Sequence, residues 1–142
     1  MIFLVEMAAS LYIVVEGEDP GFDTFVNGHG LARNEDALDR LAERLRVRAL
    51  LEFFSADENS MALLLEQGAG NPDWAHHLPE PQWYDPGNGI VTVSTLLDFL
   101  KASPIALGSD TSAVVSELQD YERVLRKTAQ RELRWHLAVS WR

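Results

Sequence analysis

Hydrophobic positions change their spacing along this chain, and the changes predict which segments are strands and which are helices. Residues 11–16 are rich in β-branched and aromatic side chains and predict a strand that Gly17 ends. Apolar and polar residues alternate over 133–141, which predicts a closing strand. A short buried strand is predicted over 50–54. We expect the first and last strands to lie side by side in one small sheet.

Leucines and other apolar residues recur at helical spacing through much of the remaining chain. Asn34 is predicted to cap a helix with acids in its first turn and arginines at its far end, as the helix dipole favours. In the longest helix one apolar face is predicted to include Tyr121, Leu125 and Ala129. Helices are predicted over 34–48, 57–67, 90–103 and about 111–131, with a short one beginning at 72.

The order of these elements predicts an α+β fold. A chain of 142 residues that is 46% hydrophobic fits a single globular domain over 1–142. We expect a small mixed β-sheet with about four helices packed mainly on one face. The order strand, helix, strand over 11–54 is compatible with a parallel crossover unit. The glycine-rich residues 17–33 predict a long loop, with at most a short strand at 25–26.

The apolar N-terminus predicts neither a signal peptide nor a membrane span. No basic residue precedes it, Glu6 interrupts it, and 2–15 is shorter than the roughly 20 residues that a spanning helix needs. We interpret 1–8 as a leader that is disordered or that reflects a start codon upstream of the true one. The absence of cysteine excludes disulfides and thiol catalysis and is most natural in the cytoplasm. We therefore expect a cytoplasmic protein without membrane association.

Charge is distributed unevenly along the sequence. Residues 49–100 contain eight acids and neither lysine nor arginine, in a chain whose net charge is −10. A surface of one sign repels polyanions and attracts basic partners. Nucleic-acid binding is disfavoured, because phosphate contacts require basic patches. We attribute the basic clusters at 40–48 and 123–134 to helix ends and to acidic partners within the chain.

Tryptophans accompany the acids in the same stretch and suggest a binding face. Trp74 and Trp83 flank a proline-rich loop, and aromatic rings beside carboxylates suit a cationic peptide. The competing interpretation is that the carboxylates are a solvated surface and that the two rings pin the loop to the core. The predicted partner-binding residues are Asp57, Glu58, Asp73, Trp74, Trp83 and Asp85.

Histidines and loop carboxylates provide a second hypothesis. Adjacent residues such as His76 and His77 point apart, and a metal site needs three or more ligands, so no metal or other cofactor is predicted. His29 lies between glycines that would let a backbone approach a ligand. The sequence also lacks a nucleophile elbow, a phosphate loop and a zinc-protease motif. A small enzyme or metal-binding protein would have to assemble its site from distant loops, with candidates His29, His76, His77, His136, Asp57, Glu58 and Asp85.

The turn motif Trp83-Tyr84-Asp85-Pro86-Gly87-Asn88-Gly89, the two leucine-rich helices after it and the closing strand resemble those of one group of proteins. The group consists of short, acidic, uncharacterised bacterial proteins with a Trp-aromatic-Asp-Pro-x-x-Gly turn. The resemblance covers roughly residues 50–142 and implies a bacterial cytosolic α+β domain without indicating an activity. Physically, the motif is a turn that leads into a helix.

The sequence therefore favours a non-enzymatic protein–protein interaction module, of an immunity or adaptor type, that binds a basic partner. No catalytic residue is predicted. The small enzyme or metal-binding protein is the alternative, and a homodimer formed through a free sheet edge is a third possibility.

Overall fold

A computed structural model describes residues 9–17, 19–55 and 82–141. In these ranges the chain forms a two-stranded antiparallel sheet and four α-helices, an α+β fold as predicted. In chain order the elements are β1 (Ala9–Val15), α1 (His29–Arg33), α2 (Glu35–Leu45), α3 (Pro86–Ala102), α4 (Thr111–Gln130) and β2 (Trp135–Trp141). The predicted leader at 1–8 and the helices predicted over 57–67 and from 72 lie outside the described residues.

The two strands, which are the first and last elements of the described chain, pair with each other, and this confirms their predicted adjacency. They are antiparallel, in a register that pairs Ile13 with Leu137 and Val15 with Trp135. These four side chains are buried on the face that packs against the helices. Two isolated bridges, Phe54 parallel to Leu137 and Tyr84 antiparallel to Trp135, extend the other edge of β2.

The strand predicted over 50–54 is wrong except for its last residue. Leu50–Phe53 is a 3₁₀ helix, closed by a hydrogen bond from the Ala49 amide to the Glu52 carboxylate at 2.7 Å. With three residues per turn, Leu50 and Phe53 both point into the core. Because Phe54 is parallel to β2 and β2 is antiparallel to β1, the predicted parallel crossover does not form.

The loop predicted over 17–33 contains a helix that the sequence pattern did not indicate. α1 occupies His29–Arg33, and no strand is present at 25–26. The amide of Leu11 in β1 donates to the Gly28 carbonyl at 3.1 Å, which places α1 beside the sheet. Asn34 stands at the start of α2 but does not cap it with its side chain. Its side-chain amide Nδ2 instead donates to the Gly30 carbonyl at 2.8 Å and to the Asp110 carboxylate at 2.9 Å.

The helices complete the core largely as their spacing predicts. Leu38 and Leu41 of α2 are buried, as are Val114, Leu118, Tyr121 and Leu125 of α4 and Val93, Leu96, Leu97 and Leu100 of α3. α3 begins at Pro86, four residues before the predicted start. Ala129 was predicted on the buried face of α4 and is exposed.

Candidate interaction surface

The predicted partner-binding residues fall on both sides of the boundary of the described chain. Trp83 and Asp85 are described, whereas Asp57, Glu58, Asp73 and Trp74 lie outside the described ranges. The same holds for His76 and His77. The geometry therefore bears on the start of α3, the edge of β2 and the surfaces next to them.

The turn motif forms the junction between β2 and α3. Tyr84 and Trp135 exchange two backbone hydrogen bonds, of 2.8 Å and 3.1 Å. Asp85 then occupies the N-cap of α3, where its carboxylate accepts a hydrogen bond from the Gly87 amide at 2.7 Å. Pro86 fills the first helical position, which needs no amide hydrogen. Tyr84, Asp85 and Pro86 of the motif therefore each have a structural role at this junction.

The indole of Trp135 holds the other side of this junction. Its Nε1 donates to the carbonyl of Asp85 at 3.3 Å, and the whole side chain is buried. A Cβ on Gly89 would lie 2.4 Å from Cζ2 of this ring, closer than atoms can pack. The final glycine of the motif is therefore required by the approach of α3 to the indole.

Three aromatic rings pack together at the same junction, and the guanidinium of one arginine lies over two of them. Phe53 stacks on Trp135 with 4.9 Å between ring centroids, and its ring meets the edge of Tyr84 at 5.5 Å. The guanidinium of Arg48 lies 4.5 Å from the Phe53 centroid and 5.6 Å from that of Tyr84. Arg48, the last base before the acidic stretch, is therefore held by aromatic faces and not by a described carboxylate.

Trp83 packs against the sheet face opposite the helices. Its ring centroid is 4.9 Å from that of His136, at an angle of 56°. His136 is 1% exposed, and its Nδ1 lies 3.0 Å from the Leu137 carbonyl. Trp83 itself is only partly buried. This contact favours the interpretation that Trp83 pins the loop to the core, while part of its ring remains accessible.

The described acids of the stretch 49–100 carry charge that no cation in the described ranges neutralises. These acids are Glu52, Asp85 and Asp98, and all three are exposed. Glu52 and Asp85 accept backbone hydrogen bonds but form no ion pair with a described residue. The ion pairs among the described residues are Arg33–Asp110, Arg126–Glu122 and Arg134–Glu16.

The arginines of the C-terminal basic cluster bind carboxylates and backbone carbonyls of this same chain. Arg126 pairs with Glu122, whose pKa is lowered by a hydrogen bond from Ser94 and by this arginine. Arg123 donates to loop carbonyls at residues 23 and 25, and Arg131 donates to a carbonyl at residue 21. Arg134 donates three side-chain hydrogen bonds and one backbone hydrogen bond to Glu16, and these lower the pKa of that carboxylate.

The arginines of the basic cluster at 40–48, unlike two arginines of the C-terminal cluster, do not pair with described acids of this chain. Arg40, Arg44 and Arg46 are exposed and form no ion pair within the described part of the chain. Arg46 forms the left-handed cap of α2, with φ 59°. The predicted position of this cluster at a helix end is confirmed, since Arg44 lies in the last turn of α2 and Arg46 is its C-cap. The predicted acidic partners do not occur among the described residues.

The glycines around His29 approach other parts of this chain instead of a ligand. A Cβ on Gly28 would meet the Leu11 carbonyl oxygen at 1.7 Å, and one on Gly30 would meet the Glu117 carboxylate at 2.8 Å. Glu117, which is 6% exposed, accepts hydrogen bonds from the amides of Gly30 at 3.0 Å and Leu31 at 2.9 Å. No sequence pattern predicts this buried carboxylate, because its partners lie almost ninety residues away along the chain.

The two described histidines lie far apart. His29 places its Nδ1 3.0 Å from the carbonyl of Ala9, at the start of β1, whereas His136 pairs with Val14 near the end of that strand. Five residues of strand separate these positions by about 16 Å. No group of three or more potential metal ligands occurs among the described residues.

Two cavities in the described part of the chain differ in volume, and only the larger one could hold a ligand. One, beside Leu11 and Leu38, holds about 10 Å³, which is no more than one water requires. The other is an open cleft of about 370 Å³ between the start of α3 and the segment that joins α4 to β2. It is lined by Asp85, Pro86, Ala129, Glu132, Leu133 and Arg134. Sequence reasoning selected Asp85 alone from this set, since the other side of the cleft lies more than forty residues further along the chain.

Comparison with known proteins provides no relative for this chain. No protein-family model, no curated protein and no solved structure matches it. In the described ranges, no helix has both the length and the apolar character needed to cross a membrane.

Proposed function

We propose that this chain is a non-enzymatic protein–protein interaction module that presents an acidic face to a basic partner. An immunity or adaptor protein of a bacterial cytoplasm is the concrete form of this proposal, and the resemblance of the turn motif to a group of acidic bacterial proteins agrees with that setting. The proposed partner-binding residues are Asp57, Glu58, Asp73, Trp74, Trp83 and Asp85.

One contrast in charge carries the proposal. The exposed acids Glu52, Asp85 and Asp98 have no ion-pair partner among the described residues, whereas Arg126 and Arg134 pair with acids of this same chain. The exposed arginines of α2 are also unpaired within the described ranges, but they lie outside the base-free stretch 49–100. Carboxylates without internal partners contribute fully to the field outside the protein, and the net charge is −10. A field of this sign speeds the encounter with a cationic protein and disfavours nucleic acids.

The aromatic residues next to these acids support a contact surface. Trp83 is partly accessible beside Asp85, and tryptophan is among the residues that contribute most to binding energy at interfaces. Trp83 already packs on His136, so a partner would meet an ordered ring. Ordering a side chain before binding reduces the entropy that association costs.

The proposal is tested with the full chain immobilised and offered to a bacterial lysate at low salt. A retained basic protein is then purified, and its dissociation constant is measured from low salt to about 0.5 M salt, where charges are screened beyond roughly 4 Å. We expect the affinity to fall at least tenfold. Retention of no basic protein, or an affinity that does not change with salt, would contradict the proposal.

The alternative is a small enzyme or metal-binding protein with a loop-assembled site. Its remaining candidates at 57, 58, 76 and 77 lie outside the described residues, and no described contact joins His29, His136 and Asp85. A homodimer through the sheet edge is a third proposal, and light scattering of the purified chain measures it directly.

A further inference from the structure

The cleft beside Asp85 combines an apolar wall with carboxylates. Pro86 is buried, Leu133 is half-buried, and Ala129 is exposed on the last turn of α4, so three apolar side chains of the described chain contribute to the wall. Glu132 and Asp85 provide the acidic groups. A volume of about 370 Å³ lies within the range of pockets that receive small ligands or single side chains.

We propose that this cleft receives a lysine or arginine side chain of the basic partner, an inference that rests on the proposed function. Both side chains have an apolar stem that packs on an apolar wall and a cationic end that carboxylates bind. A neutral apolar group would leave the carboxylates unused, and an anion would be repelled by them. Charge complementarity therefore selects a cationic side chain.

Arg134, the one cation among the described residues that line the cleft, does not oppose this occupant. Arg134 is bound to Glu16, with Nη2 2.6 Å from Oε2 and Nε within 3.3 Å of both carboxylate oxygens. The pair is neutral as a unit, so Asp85 and Glu132 determine the charge that an incoming side chain meets. Asp85 uses one oxygen on the Gly87 amide and retains acceptor capacity on the other.

The helix ends that border the cleft act in opposite directions. The C-terminus of α4, a helix of 20 residues, carries partial negative charge and favours a cation. The N-terminus of α3 carries partial positive charge, which the Asp85 carboxylate at its cap offsets. Glu132 directly follows the C-terminus of α4, the helix end that favours a cation, so we assign it as the principal carboxylate for the cation.

The test uses a blocked tetra-arginine peptide as probe and a tetra-citrulline peptide as its neutral counterpart. The full chain, labelled with nitrogen-15, is titrated at low salt, and amide shifts are followed by NMR. We expect saturable shifts at residues 85, 87 and 129–134 with the arginine peptide and none with citrulline. The wild type and the three variants described below are then also measured against the basic protein retained from the lysate.

Three variants separate cleft shape from overall charge. Glu132→Gln should weaken peptide binding on the order of threefold, as expected for one exposed charge pair. Ala129→Phe fills the cleft with the charges intact and should remove the local shifts. Glu43→Gln, an exposed acid on α2 away from the cleft, is the matched control and should change the affinity much less than Glu132→Gln does. Far-UV circular dichroism verifies that each variant is folded.

The outcomes distinguish this inference from the function on which it rests. If a basic partner binds with strong salt dependence but Ala129→Phe and Glu132→Gln bind it like the wild type, the cleft is not the docking site and the acidic-face proposal stands. Equal losses from Glu132→Gln and Glu43→Gln lead to the same conclusion. If the wild type retains neither a basic protein nor the arginine peptide, both proposals fail.

Discussion

The phenol of Tyr121 donates a hydrogen bond to the backbone carbonyl of Leu11 and so joins the middle of α4 to β1. The Tyr121 side chain is fully buried. Its pKa is raised well above 10, because burial disfavours the phenolate and the nearby Glu117 carboxylate repels it. The phenol and this carboxylate together connect α4 to β1 and to α1.

Tyr121→Phe should destabilise the protein and change how its stability depends on pH. At neutral pH we expect a loss of about 1–2 kcal/mol, because the Leu11 carbonyl loses its donor. The raised pKa of folded Tyr121 stabilises the protein below the unfolded pKa of about 10 and is lost as the pH rises toward the folded value. The unfolding free energy of the wild type should therefore fall above about pH 10, by up to ~1.4 kcal/mol per pH unit for this one proton.

Denaturant titrations between neutral pH and about pH 11 measure this effect. The decline should be shallower in Tyr121→Phe than in the wild type. Tyr84→Phe, which removes a half-buried phenol bonded to Gln82, is the control and should retain the wild-type decline. Equal slopes in the wild type and in Tyr121→Phe would contradict the assignment.

Glu117→Gln should weaken the attachment of α1. The carboxylate accepts one hydrogen bond on each oxygen, from the Gly30 and Leu31 amides, and a glutamine can accept on only one of these two positions. One buried amide would then face an NH₂ group, at a cost of about 2 kcal/mol. Asp120→Asn, on a partly exposed position of the same helix, should cost far less. Hydrogen exchange of the Gly30 and Leu31 amides checks the cause, and unchanged protection factors would exclude it.

Gly89→Ala tests sterics against helix propensity in α3. Propensity alone predicts a gain of about 1 kcal/mol for this substitution inside a helix. The added Cβ would lie 2.4 Å from the buried Trp135 ring, and overpacking of this kind costs about 1–3 kcal/mol. We therefore expect a net loss of stability, accompanied by a change in tryptophan fluorescence. Asn88→Ala, one residue earlier and exposed, should be neutral or slightly stabilising. A stabilised Gly89→Ala protein would show that α3 does not pack against the indole in this way.

Asp85→Ala should destabilise the start of α3 by about 1 kcal/mol, since it removes the acceptor of the Gly87 amide. Asp85→Asn keeps an N-cap oxygen and should retain most of the wild-type stability. Thermal unfolding of both variants distinguishes the contribution of the N-cap hydrogen bond to stability from that of the negative charge. If both variants lose the same stability, the carboxylate acts through its charge and not through the hydrogen bond to Gly87.

Elements with long, regular apolar spacing were predictable because local spacing and burial agree there. In α2, α3 and α4 the apolar residues recur every three or four positions, and members of these series such as Leu38, Val93 and Leu118 are buried as predicted. Short elements were not predictable. Leu50 and Phe53 fit a strand or a 3₁₀ turn equally well, and the Glu52 hydrogen bond to Ala49 together with the packing of Phe53 on Trp135 selects the turn.

The candidate site shows the same division. Asp85 and Pro86 were recognisable as a turn because their chemistry is local. The opposite wall at Glu132 and Leu133 belongs to another part of the chain, and no sequence spacing relates it to Asp85. Ala129 illustrates the point: its spacing from Leu125 predicts that it is buried, yet the buried face of α4 continues from Leu125 to Thr128 and leaves Ala129 exposed.

The sequence by itself determined the α+β composition, the adjacency of the terminal strands and a net charge that disfavours polyanions. Each of these follows from local periodicity or from a count of charges. Only the tertiary structure decided which charges are neutralised, that Gly28 and Gly30 approach Leu11 and Glu117 instead of a ligand, and that Asp85 shares a cleft with Glu132. These relationships depend on distances between residues far apart in the chain, which packing fixes and sequence spacing does not encode.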